Sequence, residues 1–456
     1  MVYSYSKREA LPVPLIGPQG WLLATMTANP HQYNTSILLE TPPDVKPEFL
    51  EESVKQLIFH HEALCMRFAY EGATWQQYML APHDICPPFT YLDLSTQSHT
   101  EQIQTIEVLA EQFQRSLHLS NGPTLHIVLF GLGPSKPDRL LMIIHHIIAD
   151  EISLPILVND LLTAYMQLCR GEAVQLEKTG SFKEYADLVA WYLRSETFQQ
   201  EADYWLQMPW AKVTPLPVDY PEGKKINTIG STCFASASLT SEETQTFLHF
   251  IPKLYRAPYT DVLLTCLVQS FAAWTKNHVL QVSIVYNGRM IPGPFFDKIN
   301  LLKTVGFLGY GTELLILEIQ KNQSLEQQLR SVQQQLHSMP HRGASCQWLR
   351  YLSEDEALIQ KRQMLPDHEV VFNYHGQIAR ALFPSSPFQR AYEQIGTGRD
   401  PQNPRGALLI CQAAIREGQF VATWVYSRHI HRTETIENLA QAYIEHLRLF
   451  IKNAMA

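Results

Sequence analysis

The stretch Ile143-Ile144-His145-His146-Ile147-Ile148-Ala149-Asp150-Glu151 sets two histidines and an acid where an apolar run gives way to a helical one. Leu140 to Ile144 is continuously apolar, and from Ile152 to Leu168 apolar residues recur at helical spacing, so the segment reads strand, tight loop, helix. Adjacent strand residues point to opposite faces, so His145 and His146 cannot both face one substrate and one of them is structural. An imidazole titrates near neutrality and can take a proton from an amine or hydroxyl nucleophile. Asp150, one helical turn on, can hold the loop through hydrogen bonds or an ion pair. Two satisfied core histidines are the competing reading of the same residues. No metal site is expected, because side chains on opposite faces cannot chelate together and the seven cysteines form no C-x-x-C pair.

Composition removes several function classes. A net charge of -8 without a sizeable basic cluster argues against nucleic acid, whose phosphates need concentrated Lys and Arg. The segment Tyr3 to Glu9 lacks the apolar core of a secretory signal, and no apolar run approaches the roughly 20 residues of a spanning helix. A cytoplasmic protein with no membrane partner is therefore expected. The cysteines, at long spacings, read as reduced core thiols, and the Asn34-Thr35-Ser36 and Asn322-Gln323-Ser324 sequons then carry no meaning. Gly306-Phe307-Leu308-Gly309-Tyr310-Gly311 lacks the Lys-Ser/Thr of a phosphate loop and the spacing of a dinucleotide fingerprint, and reads as a strand edge. There is no G-x-S-x-G elbow.

The pattern His145-His146-x-x-x-Asp150 resembles the active-site motif of the condensation-domain superfamily of nonribosomal peptide synthetases, relatives of chloramphenicol acetyltransferase. Landmarks in the family's order carry the resemblance along nearly the whole chain: Pro12 to Gln19, His31-Gln32-Tyr33-Asn34, His60-His61-Glu62-Ala63-Leu64, Phe182-Lys183-Glu184-Tyr185-Ala186 and Tyr204-Trp205-Leu206. Asn287-Gly288-Arg289, Thr304-Val305-Gly306-Phe307 and Phe372-Asn373-Tyr374-His375-Gly376-Gln377 resemble most closely the epimerisation branch. The ending, Trp424-Val425-Tyr426-Ser427 with a helical Ile436 to Ile451, agrees.

The resemblance implies an α/β fold of two chloramphenicol acetyltransferase-like lobes in a V, with a central tunnel and the histidine motif at its middle. A chain of 456 residues, 45% apolar and 18% charged, is long enough for two such lobes. Gly171 to Gly180, polar and without apolar periodicity, reads as the hinge, giving residues 1–176 as the N-terminal lobe with the motif and 177–456 as the C-terminal lobe. Met208 to Asn227 reads as a surface connection inside the second lobe. By motif match His146 is the base or positioning group, His145 packs inward, and Asp150 braces the loop as half of an ion pair. With no nucleophile of its own, the protein is expected to receive an acyl group already activated as a thioester. It then works by positioning and proton transfer with no bound cofactor, the substrate being presented on a carrier protein's phosphopantetheine arm. Expected partners are that peptidyl or acyl carrier protein, other synthetase domains or a tailoring enzyme.

Four departures from the family pattern bear on function. The residue after the motif Asp is usually Gly and here is Glu151; it either narrows the donor path or turns to solvent at the first turn of the helix, where the dipole favours a carboxylate. The family arginine that steadies the motif Asp is replaced by Cys65. Arg67, sharing a face with Cys65 on a strand, and Arg289 are candidate substitutes. Val285 stands where the epimerisation branch has its second catalytic glutamate, and Leu154 replaces that branch's tryptophan.

Other histidines have simpler readings. His60-His61 resembles a structural pair of the family, and His429 and His431 read as surface residues near a strand end. Asn373, Tyr374 and His375 are tunnel-wall candidates, with sheet packing as the alternative. Three functions follow. The first is a condensation-type acyltransferase joining a carrier-bound acyl or peptidyl thioester to an amine or hydroxyl acceptor. The others are a non-catalytic recruitment platform, supported by Glu151 and Cys65, and a peptidyl epimerase with an atypical second acid/base, opposed by Val285.

Overall fold

The computed structural model describes residues 10–42, 44–291, 299–377 and 388–455, so Tyr3 to Glu9 lie outside it. The chain forms two compact α/β units. The first comprises residues 10–191, 299–309 and 388–400, and the second 192–291, 310–377 and 401–455.

In the first unit β1 (Asn34–Glu40), α1 (Pro47–His60), β2 (Phe89–Asp93), α2 (His99–Ser116), β3 (Leu125–Gly131), β4 (Arg139–His145) and α3 (Ser153–Cys169) follow in chain order. The sheet order is Gln389–Arg390, β1, β4, β3, β2. β4 is antiparallel to β1 and β3, while β3 and β2 run parallel. Every residue of β4 from Leu140 to His145 is buried, which is why this central strand shows no polar alternation. Leu141 and Ile143 pack with Ile106 and Ala110 of α2, and the period of two puts His145 at the end of that row. Helix α2 is started by a capping box: Ser98 Oγ accepts from Glu101 N, and the Glu101 carboxylate accepts from Ser98 N at 2.8 Å. Residues 172–181 carry no regular structure, in line with the polar composition of that stretch.

In the second unit β5 (Thr232–Ser238), α4 (Tyr259–Thr275), β6 (Ser283–Tyr286), β7 (Tyr310–Gly311), β8 (Val370–Gln377), β9 (Leu409–Arg416), β10 (Gln419–Ser427) and α5 (Thr433–Met455) build a six-stranded sheet and its cover. The sheet order is β7-β6-β8-β9-β10-β5. Trp424 of β10 packs against Phe271 of α4 and Tyr443 of α5, with ring centres 5.9 and 6.1 Å away. The helix expected over Ile436 to Ile451 lies within α5.

The fold class expected from the sequence is present: mixed α/β, in two lobes. Several local expectations need correction. Only Tyr310–Gly311 of the glycine-rich run is an edge strand, while Gly306 to Gly309 is irregular and belongs to the first unit. Cys65, Cys266, Cys346 and Cys411 are buried thiols, but Cys86 and Cys169 are exposed. His431 is not a surface residue. It is buried edge-on to Trp274 at 5.9 Å, and burial lowers its pKa to about 4. Among the described residues no helix is long and apolar enough to cross a membrane.

Candidate functional site

The histidine pair straddles the end of β4. His145 is its last residue and is fully buried. Its Nδ1 accepts from Ile147 N at 3.1 Å, so Nε2 carries the proton and donates to Pro30 O at 2.9 Å. Burial drives its pKa down to about 3, leaving a neutral ring with both nitrogens engaged.

His146 starts the turn, and its backbone N–H bonds to Tyr33 O at 2.8 Å. Nδ1 lies 2.7 Å from Ala149 O. A carbonyl only accepts, so Nδ1 is the protonated nitrogen, and in the neutral ring the lone pair is on Nε2. The imidazole is stacked on Tyr33, with centres 5.5 Å apart and planes 8° apart, and on Phe307, at 4.6 Å and 26°. Trp21 meets both of those rings edge-on, at 6.2 and 6.3 Å. A tautomer fixed at one nitrogen, an acceptor at the other and a ring plane set by two aromatic neighbours are what a positioned base requires.

Asp150 organises the loop around this ring. Oδ1 accepts from Ser153 N at 2.9 Å and Ser153 Oγ at 2.8 Å, and Oδ2 accepts from Leu308 N at 3.1 Å. Ser153 Oγ also lies 3.0 Å from Gly306 O and 3.1 Å from Gly306 N. Gly306 sits so close to Phe182 that a Cβ would come within 2.7 Å of that ring. The charge of Asp150 and the hydroxyl of Ser153 thus hold Gly306-Phe307-Leu308 where Phe307 meets His146.

The other residues expected at the site are placed as follows. Glu151 is exposed in the turn just ahead of α3, before its first turn. Cys65 ends the 3-10 turn Glu62–Cys65 and is not on a strand, which removes the expected strand face shared with Arg67. Its thiol donates to Ile58 O at 3.5 Å, and burial pushes its pKa up to about 12. Arg67 is buried and donates to Met66 O at 2.8 Å and Leu64 O at 3.4 Å. In the second unit Arg289 is buried in the turn Gly288–Met290, where Asn287 Oδ1 accepts from its N–H at 3.1 Å. On β8, Asn373 and Tyr374 are half-buried and His375 is exposed, and burial raises the Tyr374 pKa. Val285 pairs with Gly311 between β6 and β7.

Sequence reasoning passed over Tyr33, Ser153, Phe307 and Leu308 as site residues, although Tyr33 and Phe307 lie in segments already singled out as landmarks. It also passed over Glu313, buried in the second unit. There it meets Arg350 Nε at 3.0 Å and Tyr351 hydroxyl at 2.8 Å, and burial raises its pKa to about 7.

His60, His61 and Asp160 offer metal-ligand atoms within 4.8 Å of one another. His61 Nε2 is hydrogen bonded to Asp160 Oδ2 at 2.9 Å and His60 Nε2 to Glu177 O at 2.9 Å. A cavity of about 490 Å³ beside them is lined by Glu62, Lys178 and Asn300 among others, but not by His146.

Comparison with known proteins gives the family. The profile of the Condensation domain family matches residues 10–456. The chain is 35% identical over 444 residues to one of the linear gramicidin synthase proteins of Brevibacillus parabrevis, an alignment covering 97% of this chain and 6% of that protein. To gramicidin S synthase 1 of Brevibacillus brevis it is 28% identical over 453 residues, covering 96% and 40%. The chain thus spans less than half the length of either relative. Among solved structures, the epimerization domain from the third module of tyrocidine synthetase B superposes with a TM-score of 0.84 at 25% identity, covering 99% of this chain and 100% of that one. The X-domain from teicoplanin biosynthesis shares the fold, with a TM-score of 0.74 at 14% identity over 100% and 97% of the two chains. On the full-length profile match, the fold and the relatives together, this chain belongs to the Condensation domain family.

Proposed function

We propose that this chain is a condensation-type acyltransferase of nonribosomal peptide assembly, joining an acyl or peptidyl thioester on a carrier protein's phosphopantetheine arm to an amine or hydroxyl acceptor. The observation that carries the reading is the His146 Nδ1 to Ala149 O contact at 2.7 Å, which leaves Nε2 as the acceptor. The acceptor's N or O attacks the thioester carbonyl, Nε2 takes its proton, the C–S bond breaks, and the proton passes to the leaving thiolate. A general base in this position is worth about 10²–10⁴-fold in rate. Exposed Glu151 supports a donor path that its side chain leaves open.

Peptidyl isomerisation is the second reading, favoured by the likeness to an epimerization domain. It needs a second acid/base to return the Cα proton, and Val285 stands where the family glutamate would be. A third reading, a recruitment platform for a tailoring enzyme, needs no turnover.

One experiment separates the three. A peptidyl-loaded carrier protein is mixed with the chain and candidate acceptors in deuterated water, read by intact mass, with His146→Ala alongside. The expected result is a joined product that the variant does not form. Deuterium gain on a retained peptidyl group would assign isomerisation, and binding with neither signal would assign the platform.

A further inference from the structure

We propose that Arg399 is a positioning residue for His146, holding the Tyr33 ring against the imidazole so that Nε2 keeps a fixed direction. The inference rests on the reading of His146 as base or positioning group. Its geometry lies wholly in the first unit. The hydrogen bond from Nδ1 to Ala149 O anchors the imidazole at one atom and leaves it free to tilt about that contact. The plane is set by the rings of Tyr33 and Phe307 stacked on it. Phe307 is held through Asp150 and Ser153, as described above. Tyr33 is held from elsewhere: the guanidinium of Arg399 lies over its ring, 4.6 Å from the centre, while the arginine itself is exposed.

That placement is built by the backbone. Residues 397–400 run as a strap beside the start of β1, with Tyr33 and Arg399 forming an antiparallel bridge. Asn34 N donates to Gly398 O at 2.6 Å, Asp400 N to Gln32 O at 3.1 Å and Gln32 Nε2 to Thr397 O at 2.9 Å. The strap fits because residue 398 is glycine, since a Cβ there would lie 2.7 Å from Asn34 O. A planar cation over an aromatic face is attracted to the ring quadrupole and also shields the ring from water. Arg399 thus acts on the imidazole through Tyr33 without touching substrate.

The test reads the ring directly. In the full chain with 13Cε1-labelled histidine, the His146 signal is assigned by its loss in His146→Gln. Arg399→Ala should shift and broaden that signal, because the ring current of Tyr33 no longer acts from a fixed position, while the exposed His429 stays in place. Turnover should fall about two- to fivefold in kcat with KM unchanged. Arg399→Lys, which keeps the charge without the planar fork, should recover part of both, and it also serves should Arg399→Ala not fold. A His146 signal unmoved in either variant would overturn the proposal, as would a moved signal with kcat unchanged. Absence of turnover in the unmodified chain, with the signal still responding to Arg399, would sink the base reading and leave the Arg399–Tyr33–His146 coupling standing.

Discussion

The carboxylate of Asp150 accepts the backbone N–H of Leu308 at 3.1 Å, and the residue before Leu308 carries the ring that stacks on His146. Asp150 N donates back to Gly306 O at 3.3 Å, and the Ser153 hydroxyl, hydrogen bonded to Asp150, bridges to the same glycine. The motif acid is thus a bracket between two segments far apart in sequence. In the first unit it places the aromatic wall beside His146.

Asp150→Ala removes acceptors from Leu308 N, Ser153 N and the Ser153 hydroxyl together. Hydrogen bonds to a charged group are worth about 1.5–3 kcal/mol each and do not add fully, so a loss of roughly 2–4 kcal/mol in unfolding free energy is expected. Urea unfolding measures it. Asp150→Asn, which keeps one carbonyl oxygen, should lose less, and equal losses would mean that the negative charge matters more than the bracket.

Gly306→Ala tests the same wall from the other side. The new methyl would sit 2.7 Å from the Phe182 ring, so either that buried ring or the 306–308 segment must move. Overpacking of this kind costs about 1–3 kcal/mol. Because Phe307 follows directly, kcat should fall by about tenfold or more even in folded protein. Turnover within twofold of the unsubstituted chain would show that the position of Phe307 does not matter to the chemistry.

How far the site could be read from the chain follows from where its parts come from. Strand β4, its loop and α3 are contiguous, and a continuous apolar run meeting a helical period leaves one sensible reading of Leu140 to Leu168. Strand alternation alone said that His145 and His146 face opposite ways; which of them packs inward came from the family motif. Tyr33, Phe307 and Arg399 are brought to His146 by sheet pairing, by the Asp150 bracket and by a strap that enters the first unit from residues near 400, and no local pattern announces such contacts. Cys65 was misplaced because the apolar run into Met66–Glu71 hides a single 3-10 turn. His431 was misplaced because polar neighbours in sequence say nothing of Trp274, which covers it.

Acid should unfold the first unit earlier than a chain of this composition otherwise would. Burial lowers the pKa of His145 to about 3 and of His126 to about 4, against about 6.5 in the unfolded chain. A depressed folded pKa means that the unfolded state binds the extra proton first. The stability contribution is therefore complete above about pH 6.5 and lost as pH falls toward the folded values. Each of the two should lose about 1 kcal/mol between pH 7.5 and 5.5. His126 lies edge-on to Phe113 at 5.1 Å, its Nδ1 buried and without a hydrogen-bond partner among the described residues, so His126→Phe should flatten the dependence by about that amount. Urea midpoints at the two pH values decide it, and an unchanged difference in the variant would exclude His126 as a source.

Glu151→Gly decides between the two meanings of the most conspicuous departure from the family motif. A glutamate after the motif Asp would throttle condensation if it filled the donor path, and restoring glycine would then raise turnover sharply. The side chain is exposed, in the turn immediately ahead of α3, where a carboxylate near the helix N-terminus is worth about 0.3–1 kcal/mol. On that geometry the substitution should cost a few tenths of a kcal/mol, partly through the added backbone freedom of glycine, and leave turnover within about twofold. Steady-state rates with a saturating loaded carrier protein, beside a thermal unfolding curve, give both numbers. A tenfold rise in kcat would place Glu151 in the donor's way and make its exposure a property of the substrate-free chain alone.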